Sequence, residues 1–90
     1  MIIMENKVLI KLFVPELDTN FELFIPVNIT IYNIKELVIK SIPDIINYNF
    51  DAKSNYILIN KVTSRIYGNN EIVINTDIRN ASELILMECS

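Results

Sequence analysis

The chain has 90 residues, 51% of them hydrophobic, and a formal net charge of −3 at pH 7. This length corresponds to one domain, residues 1–90, with enough apolar content for a core over residues 7–88. Lysine and arginine are scattered, which argues against binding to nucleic acids or anionic membranes. No apolar run approaches the roughly 20 residues of a membrane-spanning helix, and the start lacks the features of a signal peptide. We therefore expect a soluble, cytoplasmic domain.

The lack of histidine and the scarcity of cysteine and glycine argue against enzymatic and metal chemistry. The chain has no histidine, the commonest general base and metal ligand. Its only cysteine is Cys89, which by itself forms neither a disulfide framework nor a thiolate metal site. Its only glycine is Gly68, which excludes the glycine-rich loops that hold phosphates. We predict that the protein is not an enzyme, needs no cofactor or metal, and works by binding another protein.

The first third of the chain has the alternation of a β-hairpin. Residues 7–14 are rich in branched and aromatic side chains and predict a strand. Residues 15–20 carry turn-forming side chains, and residues 21–27 predict a second strand. One face of the pair would carry the residues Val8, Ile10, Leu12, Val14, Phe21, Leu23, Ile25 and Val27.

The apolar spacing changes to a helical period at Thr30. The apolar stripe comprises Ile31, Ile34, Leu37, Val38 and Ile42, which recur at steps of three and four residues. The hydroxyl of Thr30 can cap the first turn, and Pro43 is expected to end the helix because it disfavours helical geometry in the preceding residue.

The remaining elements are shorter. Residues 44–55 predict a loop, 56–60 a third strand, 64–67 a short fourth strand and 68–70 a turn. Residues 72–78 predict an irregular connection, and residues 84–88 the last strand. The predicted order is β-β-α-β-β-loop-β, an α+β class in which one helix packs on a mixed sheet of four to five strands.

This order and several short strings resemble the ubiquitin-like β-grasp fold. Residues 30–35, Thr-Ile-Tyr-Asn-Ile-Lys, resemble the helix start of ubiquitin, and residues 77–86 resemble its last turn and strand. Residues 21–27 and 34–38 resemble the YukD/EsaB group, bacterial ubiquitin-like components of type VII (WXG100) secretion systems. Members of that group often carry Gly-Asp before the last strand, where this chain has Ala81-Ser82-Glu83.

The resemblance implies an accessory protein of a secretion system, docked onto a larger subunit. The alternative is a ubiquitin-like sulfur carrier or protein modifier, which reacts through a C-terminal Gly-Gly. The sequence ends Met87-Glu88-Cys89-Ser90, and this departure disfavours the alternative. Genes for WXG100 proteins or an FtsK/SpoIIIE-type ATPase near this gene would support the secretion role.

A candidate docking surface follows from the strand alternation. If Ile57, Ile59, Leu84 and Leu86 face the helix with the inner residues of the first strand, the alternate residues point outward. In ubiquitin the matching sheet face is the main docking surface, and Leu58 and Met87 resemble two of its central apolar positions. The predicted protein-interaction residues are Leu9, Phe13, Tyr56, Leu58, Ile85 and Met87. Two alternatives remain: a second copy of the chain covers the patch in a homodimer, or a strand register is shifted by one residue, which would place these side chains in the core.

Overall fold

One helix and four strands form the described part of the computed structural model, residues 6–45 and 55–89. They are β1 (Lys7–Val14), β2 (Thr19–Pro26), α1 (Ile31–Ile45), β3 (Asn55–Asn60) and β4 (Ser82–Cys89). Two short 3-10 helices, Pro15–Leu17 and Val73–Asn75, lie between these elements. The helix and four of the five predicted strands are confirmed, with ends that differ by no more than three residues.

The sheet is mixed, and its strand order is β2-β1-β4-β3. The first hairpin, β1–β2, and the pair β3–β4 are antiparallel, while the two central strands, β1 and β4, run parallel. Asp18, in the left-handed conformation with φ of 49°, closes the hairpin. A parallel pair needs a long crossover connection. Here α1 lies in the segment that joins the antiparallel pair β1–β2 to the antiparallel pair β3–β4.

Helix α1 begins as predicted and ends later than predicted. The backbone N–H of Asn33 donates to Oγ1 of Thr30 at 3.2 Å, which is an N-cap bond. The expectation that Pro43 ends the helix is wrong, because α1 continues to Ile45 with Pro43 in its last turn. In that turn a proline removes one hydrogen bond and does not prevent the chain from completing the helix.

The core lies between α1 and one face of the sheet. The two central strands contribute Ile10, Leu12, Leu84 and Leu86, all fully buried. The predicted helical stripe is confirmed at the fully buried positions Ile31, Ile34, Val38 and Ile42, whereas Leu37 is exposed. Burial of each of these side chains contributes roughly 1.5–3 kcal/mol of hydrophobic free energy.

The long connection between β3 and β4 differs from its prediction. Residues 64–67 do not form a strand and make only an isolated bridge, between Ile66 and Ile59. The sheet therefore has four strands in the described residues, not five. The prediction of a loop over 44–55 is wrong at both ends, since Asp44 lies in α1 and Asn55 in β3, and residues 46–54 lie outside the described residues.

Ala81 adopts a conformation that favours glycine. Its φ is 69°, in the left-handed region, and its N–H donates to the carbonyl of Leu9 at 2.7 Å. The Cβ of a non-glycine residue makes this conformation unfavourable by about 1 kcal/mol. The site lies directly before β4, where the YukD/EsaB group often has glycine.

We expect Ala81→Gly to raise the free energy of unfolding by about 0.5–1 kcal/mol, because it removes the strain at φ 69°. Urea denaturation followed by circular dichroism would measure the change. Glu83→Gly is the matched control in the extended strand β4, where glycine is expected to destabilise by roughly 1 kcal/mol. A loss of stability in both variants would contradict strain at Ala81.

Candidate protein-docking surface

Strand pairing gathers apolar side chains on the sheet face opposite the helix. Phe13 pairs with Ile85 across β1 and β4, and Ile85 pairs with Ile59 across β4 and β3. Ile57 pairs with Met87 in the neighbouring row. Directly paired residues point to the same face of a sheet, so these five side chains are contiguous. We call Phe13, Ile57, Ile59, Ile85 and Met87 the outer patch.

The outer patch is partly accessible to solvent. Met87 is 37% exposed and the other four residues are half-buried. The bridge between Ile59 and Ile66 extends the patch past the sheet edge to Ile66, which is 60% exposed. Across three strands spaced about 4.8 Å apart, the patch spans roughly 10 Å.

The structure separates the six predicted docking residues into two groups. Leu9, Phe13, Ile85 and Met87 lie on the outward face, as predicted. The prediction that the other two residues point outward is wrong. Tyr56 is 8% exposed and Leu58 is 1% exposed, and both lie in the core cluster. The alternative of a register shifted by one residue therefore holds for β3 alone.

The error in β3 has a physical origin. Its central residues, from Tyr56 to Ile59, are all apolar, so their sequence carries no inward–outward alternation. Pairing with β4 decides the matter, because Ile57 lies opposite the outward Met87 and Leu58 opposite the inward Leu86. Ile57 and Ile59 thus belong to the outer patch, and only the register against β4 could have identified them.

Leu9 is separated from the outer patch by a row of charges. Cross-strand pairing places Lys11 beside Glu22 on β2 and beside Glu83 on β4. The Nζ of Lys61 continues the row, 3.8 Å from a carboxylate oxygen of Glu83. A depression of about 310 Å³ runs along this row next to Phe13. Leu9 instead pairs with Phe24, which is 67% exposed.

A hydrogen-bond network centred on Tyr67 holds the connection between β3 and β4. The Tyr67 hydroxyl donates to Oδ1 of Asp77 at 2.6 Å and accepts from Nδ2 of Asn60 at 3.1 Å. Arg65 lies over the ring, 5.0 Å from its centroid, and its Nη1 is 3.6 Å from Asp77. Burial, the bond to Asp77 and the charge of that carboxylate raise the pKa of Tyr67 to about 12. The network fixes the segment that carries Ile66.

A groove of about 460 Å³ lies between α1 and β3. Its wall includes Lys35, whose Nζ donates to the carbonyl of Tyr56 at 2.9 Å. Partial burial disfavours the ammonium and lowers the pKa of Lys35. The lysine thus binds the edge of the strand with its charged end.

Residues 6–45 and 55–89 lack the features of a metal site and of a membrane-spanning helix. These residues contain no cluster of three or more histidine, cysteine, aspartate or glutamate side chains that could hold a metal ion. Within the same ranges, no helix is long and apolar enough to cross a membrane.

The fold is the ubiquitin-like β-grasp, with one helix on a mixed four-stranded sheet. The EccD5 ubiquitin-like domain from Mycobacterium xenopi superposes with a TM-score of 0.78 at 10% identity, over 93% of this chain and 96% of that one. The ubiquitin-like domain of Plasmodium falciparum Dsk2 gives a TM-score of 0.67 at 13% identity, over 92% and 99% of the two chains.

A chain of the MycP5-free ESX-5 inner membrane complex contains the same fold. It superposes with a TM-score of 0.79 at 9% identity, over 94% of this chain but only 21% of the longer one. No protein-family model and no curated protein matches the sequence. Identities this low show the shared fold.

Proposed function

We propose that this chain is a non-catalytic protein-interaction module that serves as an accessory component of a bacterial type VII (WXG100) secretion system. It docks onto a larger subunit through the outer patch. The observation that carries the proposal is a contiguous outward apolar surface on a fold shared with EccD5 and with a chain of the ESX-5 inner membrane complex. The sequence resemblance to the YukD/EsaB group points to the same system.

The chemistry of the outer patch supports docking. Contiguous exposed apolar surface tends to mark interaction sites on small proteins. The charged row that contains Lys11, Glu83 and Lys61 borders it on one side, in the arrangement of an apolar centre with a polar rim. Burial of the patch would supply affinity, while the row of alternating charge would select the partner and its orientation.

The partner in this proposal is a secretion-system subunit, and the module acts on the cytoplasmic side of the membrane. The ESX-5 structure is a multi-subunit inner membrane complex, which supports a different protein as partner over a second copy of this chain. A regulatory or assembly role fits a small protein-interaction module.

The test is binding to purified cytoplasmic domains of the type VII subunits encoded in the same genome. We expect the wild-type chain to bind one of them, and the double variant Ile85→Asp/Met87→Asp to bind at least tenfold more weakly. Two carboxylates would have to lose their hydration in the apolar interface, which is strongly unfavourable. Biolayer interferometry would measure the dissociation constants.

Ile74→Asp is the matched control, because Ile74 is exposed and lies in the 3-10 helix Val73–Asn75, away from the paired rows of the outer patch. It introduces one carboxylate, where the double variant introduces two, and should bind as the wild type does. Equal binding by the double variant and the wild type, with both folded, would contradict docking through the patch. A genome without WXG100 proteins would contradict the secretion role.

A further inference from the structure

The segment that reverses the chain after β3 exposes two large apolar side chains. Val62 is 76% exposed and Ile66 is 60% exposed. Single exposed apolar residues are common on protein surfaces and need no explanation. These two belong to one segment, residues 61–66, and Ile66 adjoins the outer patch through its bridge to Ile59. We call residues 61–66 the apolar turn.

The side chain of Asn60 holds the apolar turn in one shape. Its Oδ1 accepts from the backbone N–H of Val62 at 2.9 Å and from that of Thr63 at 3.1 Å. Its Nδ2 donates to the hydroxyl of Tyr67 at 3.1 Å. Bonds from an asparagine side chain to the backbone two residues further on are a common means of fixing a turn.

Backbone hydrogen bonds close the same turn onto β3. The N–H of Asn60 donates to the carbonyl of Arg65, and the carbonyl of Asn60 accepts from the N–H of Ser64, both at 2.8 Å. The N–H of Tyr67 donates to the carbonyl of Leu58 at 3.0 Å. The two exposed apolar side chains therefore project from a backbone that is already ordered.

This order matters for binding. Val62 and Ile66 are β-branched, so each has few rotamers to lose, and their backbone is fixed before a partner arrives. Ordering of loops and side chains is one of the main costs of association, and here most of that cost falls on folding. Apolar side chains of this kind serve as anchors that fill a pocket of the partner.

The charges of the apolar turn already have partners within the chain. The guanidinium of Arg65 forms an ion pair with Glu71, and its Nη1 lies 3.6 Å from Asp77. The ammonium of Lys61 lies 3.8 Å from the carboxylate of Glu83. The turn therefore needs no counter-charge from a partner, and the complementary pocket is apolar and uncharged.

A second copy of this chain is a poor match for that pocket. The groove of about 460 Å³ is lined by the charged residues Lys35 and Glu36. The depression of about 310 Å³ is lined by Lys11 and Glu83, among others. An aliphatic side chain that entered either one would remove water from these charges without pairing them, which is unfavourable. The observations favour a different protein as the occupant.

We propose that the apolar turn anchors the docking interface, with Val62 and Ile66 inserted into an uncharged apolar pocket of the larger subunit. This inference rests on the proposed function, and it adds the kind of surface that the subunit presents beside the outer patch. Asn60 is a positioning residue in this interface, since it acts through the shape of the turn.

The test compares two double variants in binding to the purified cytoplasmic domains of the type VII subunits. Val62→Ser/Ile66→Ser removes both anchors at exposed positions, and we expect it to fold normally and to bind about tenfold more weakly. Leu37→Ser/Ile74→Ser is the matched control, because it removes two exposed apolar side chains outside the apolar turn. It should bind as the wild type does in biolayer interferometry.

The salt dependence of binding tests the chemistry of the pocket. We expect the same loss of affinity in Val62→Ser/Ile66→Ser at about 0.05 M and about 0.5 M sodium chloride, because salt screens interactions between charges and leaves apolar contacts in place. A loss that shrinks at the higher salt concentration would overturn the uncharged pocket.

Asn60→Ala tests the positioning role, because it leaves both anchors in place and releases the turn. Hydrogen exchange of the Val62 and Thr63 amides should accelerate about tenfold or more, since each loses its acceptor. Binding by the folded variant should weaken roughly threefold, because the turn must then be ordered on association. Faster exchange with unchanged binding would overturn the positioning role of Asn60.

The outcomes separate this inference from the proposed function. Wild-type binding by Val62→Ser/Ile66→Ser, with weak binding by the outer-patch variant Ile85→Asp/Met87→Asp, would overturn the anchor alone. The reverse pattern would support the anchor and contradict docking through the outer patch. Absence of binding by the wild-type chain to every subunit would overturn both. Self-association that Val62→Ser/Ile66→Ser abolishes, measured by sedimentation, would overturn the anchor by making a second copy its occupant.

Discussion

Leu58→Asp is expected to unfold the domain, whereas Ile57→Asp at the adjacent position leaves it folded. Leu58 is 1% exposed and lies in the core, opposite Leu86. An aspartate there would bury an unpaired carboxylate and remove core packing, which together destabilise by more than about 4 kcal/mol. A domain of this size is stable by only about 5–15 kcal/mol, so the loss is severe. Circular dichroism and urea denaturation would measure it.

Ile57 is the matched control, because it lies in the same strand as Leu58, has a side chain of similar size and points to the opposite face of the sheet. Its side chain is half-buried in the outer patch, and an aspartate there keeps access to water, so we expect a loss of about 1–2 kcal/mol. Leu58→Ala should cost about 2–5 kcal/mol through the cavity it creates. Equal stability of the two aspartate variants would show that the β3 register is different from the one described here.

Tyr67→Phe is expected to lower the free energy of unfolding by about 1–2 kcal/mol at pH 7. The change removes the hydroxyl that links Asp77 to Asn60, and the 2.6 Å bond to the carboxylate is of the stronger, charge-assisted kind. Tyr32→Phe is the matched control, because Tyr32 is exposed, and it should change stability by less than about 0.5 kcal/mol. Similar losses in the two variants would mean that the network contributes little.

The same tyrosine should make stability depend on alkaline pH. In the unfolded chain a tyrosine ionises near pH 10, and in the folded chain the pKa of Tyr67 is about 12. Because the folded pKa is the higher one, this contribution to stability is complete below pH 10 and is lost as the pH rises towards 12. The difference between wild type and Tyr67→Phe in urea titrations should therefore shrink as the pH rises from 10 to 12. A constant difference would contradict the raised pKa.

The helix shows how far local patterns reach. The step of three and four residues from Ile31 to Ile42 and the hydroxyl of Thr30 identified α1 and its start. The stripe was misjudged only at Leu37, which lies at the margin of the buried face and is exposed. The prediction that Pro43 ends the helix was also wrong, because a proline disrupts the interior of a helix more than its last turn, where Pro43 lies.

The docking surface shows where local patterns stop. In β1 the alternation of Leu9, Lys11 and Phe13 with buried residues placed the outward side chains correctly. In β3 the run from Tyr56 to Ile59 is apolar throughout, so the sequence was compatible with either orientation of the strand relative to the helix. The prediction therefore placed Ile57 and Ile59, half of the outer patch on β3–β4, in the core. A one-residue shift exchanges the two faces of a strand.

The amino-acid sequence alone determined the apolar content of this small domain and the order of its periodic segments, which is that of the β-grasp fold. These properties follow from composition and from periods of 2 and 3.6 residues, which are local. Only the tertiary structure decided which side of β3 faces outward, because this depends on hydrogen bonds between residues far apart in the chain, such as those that pair β3 with β4.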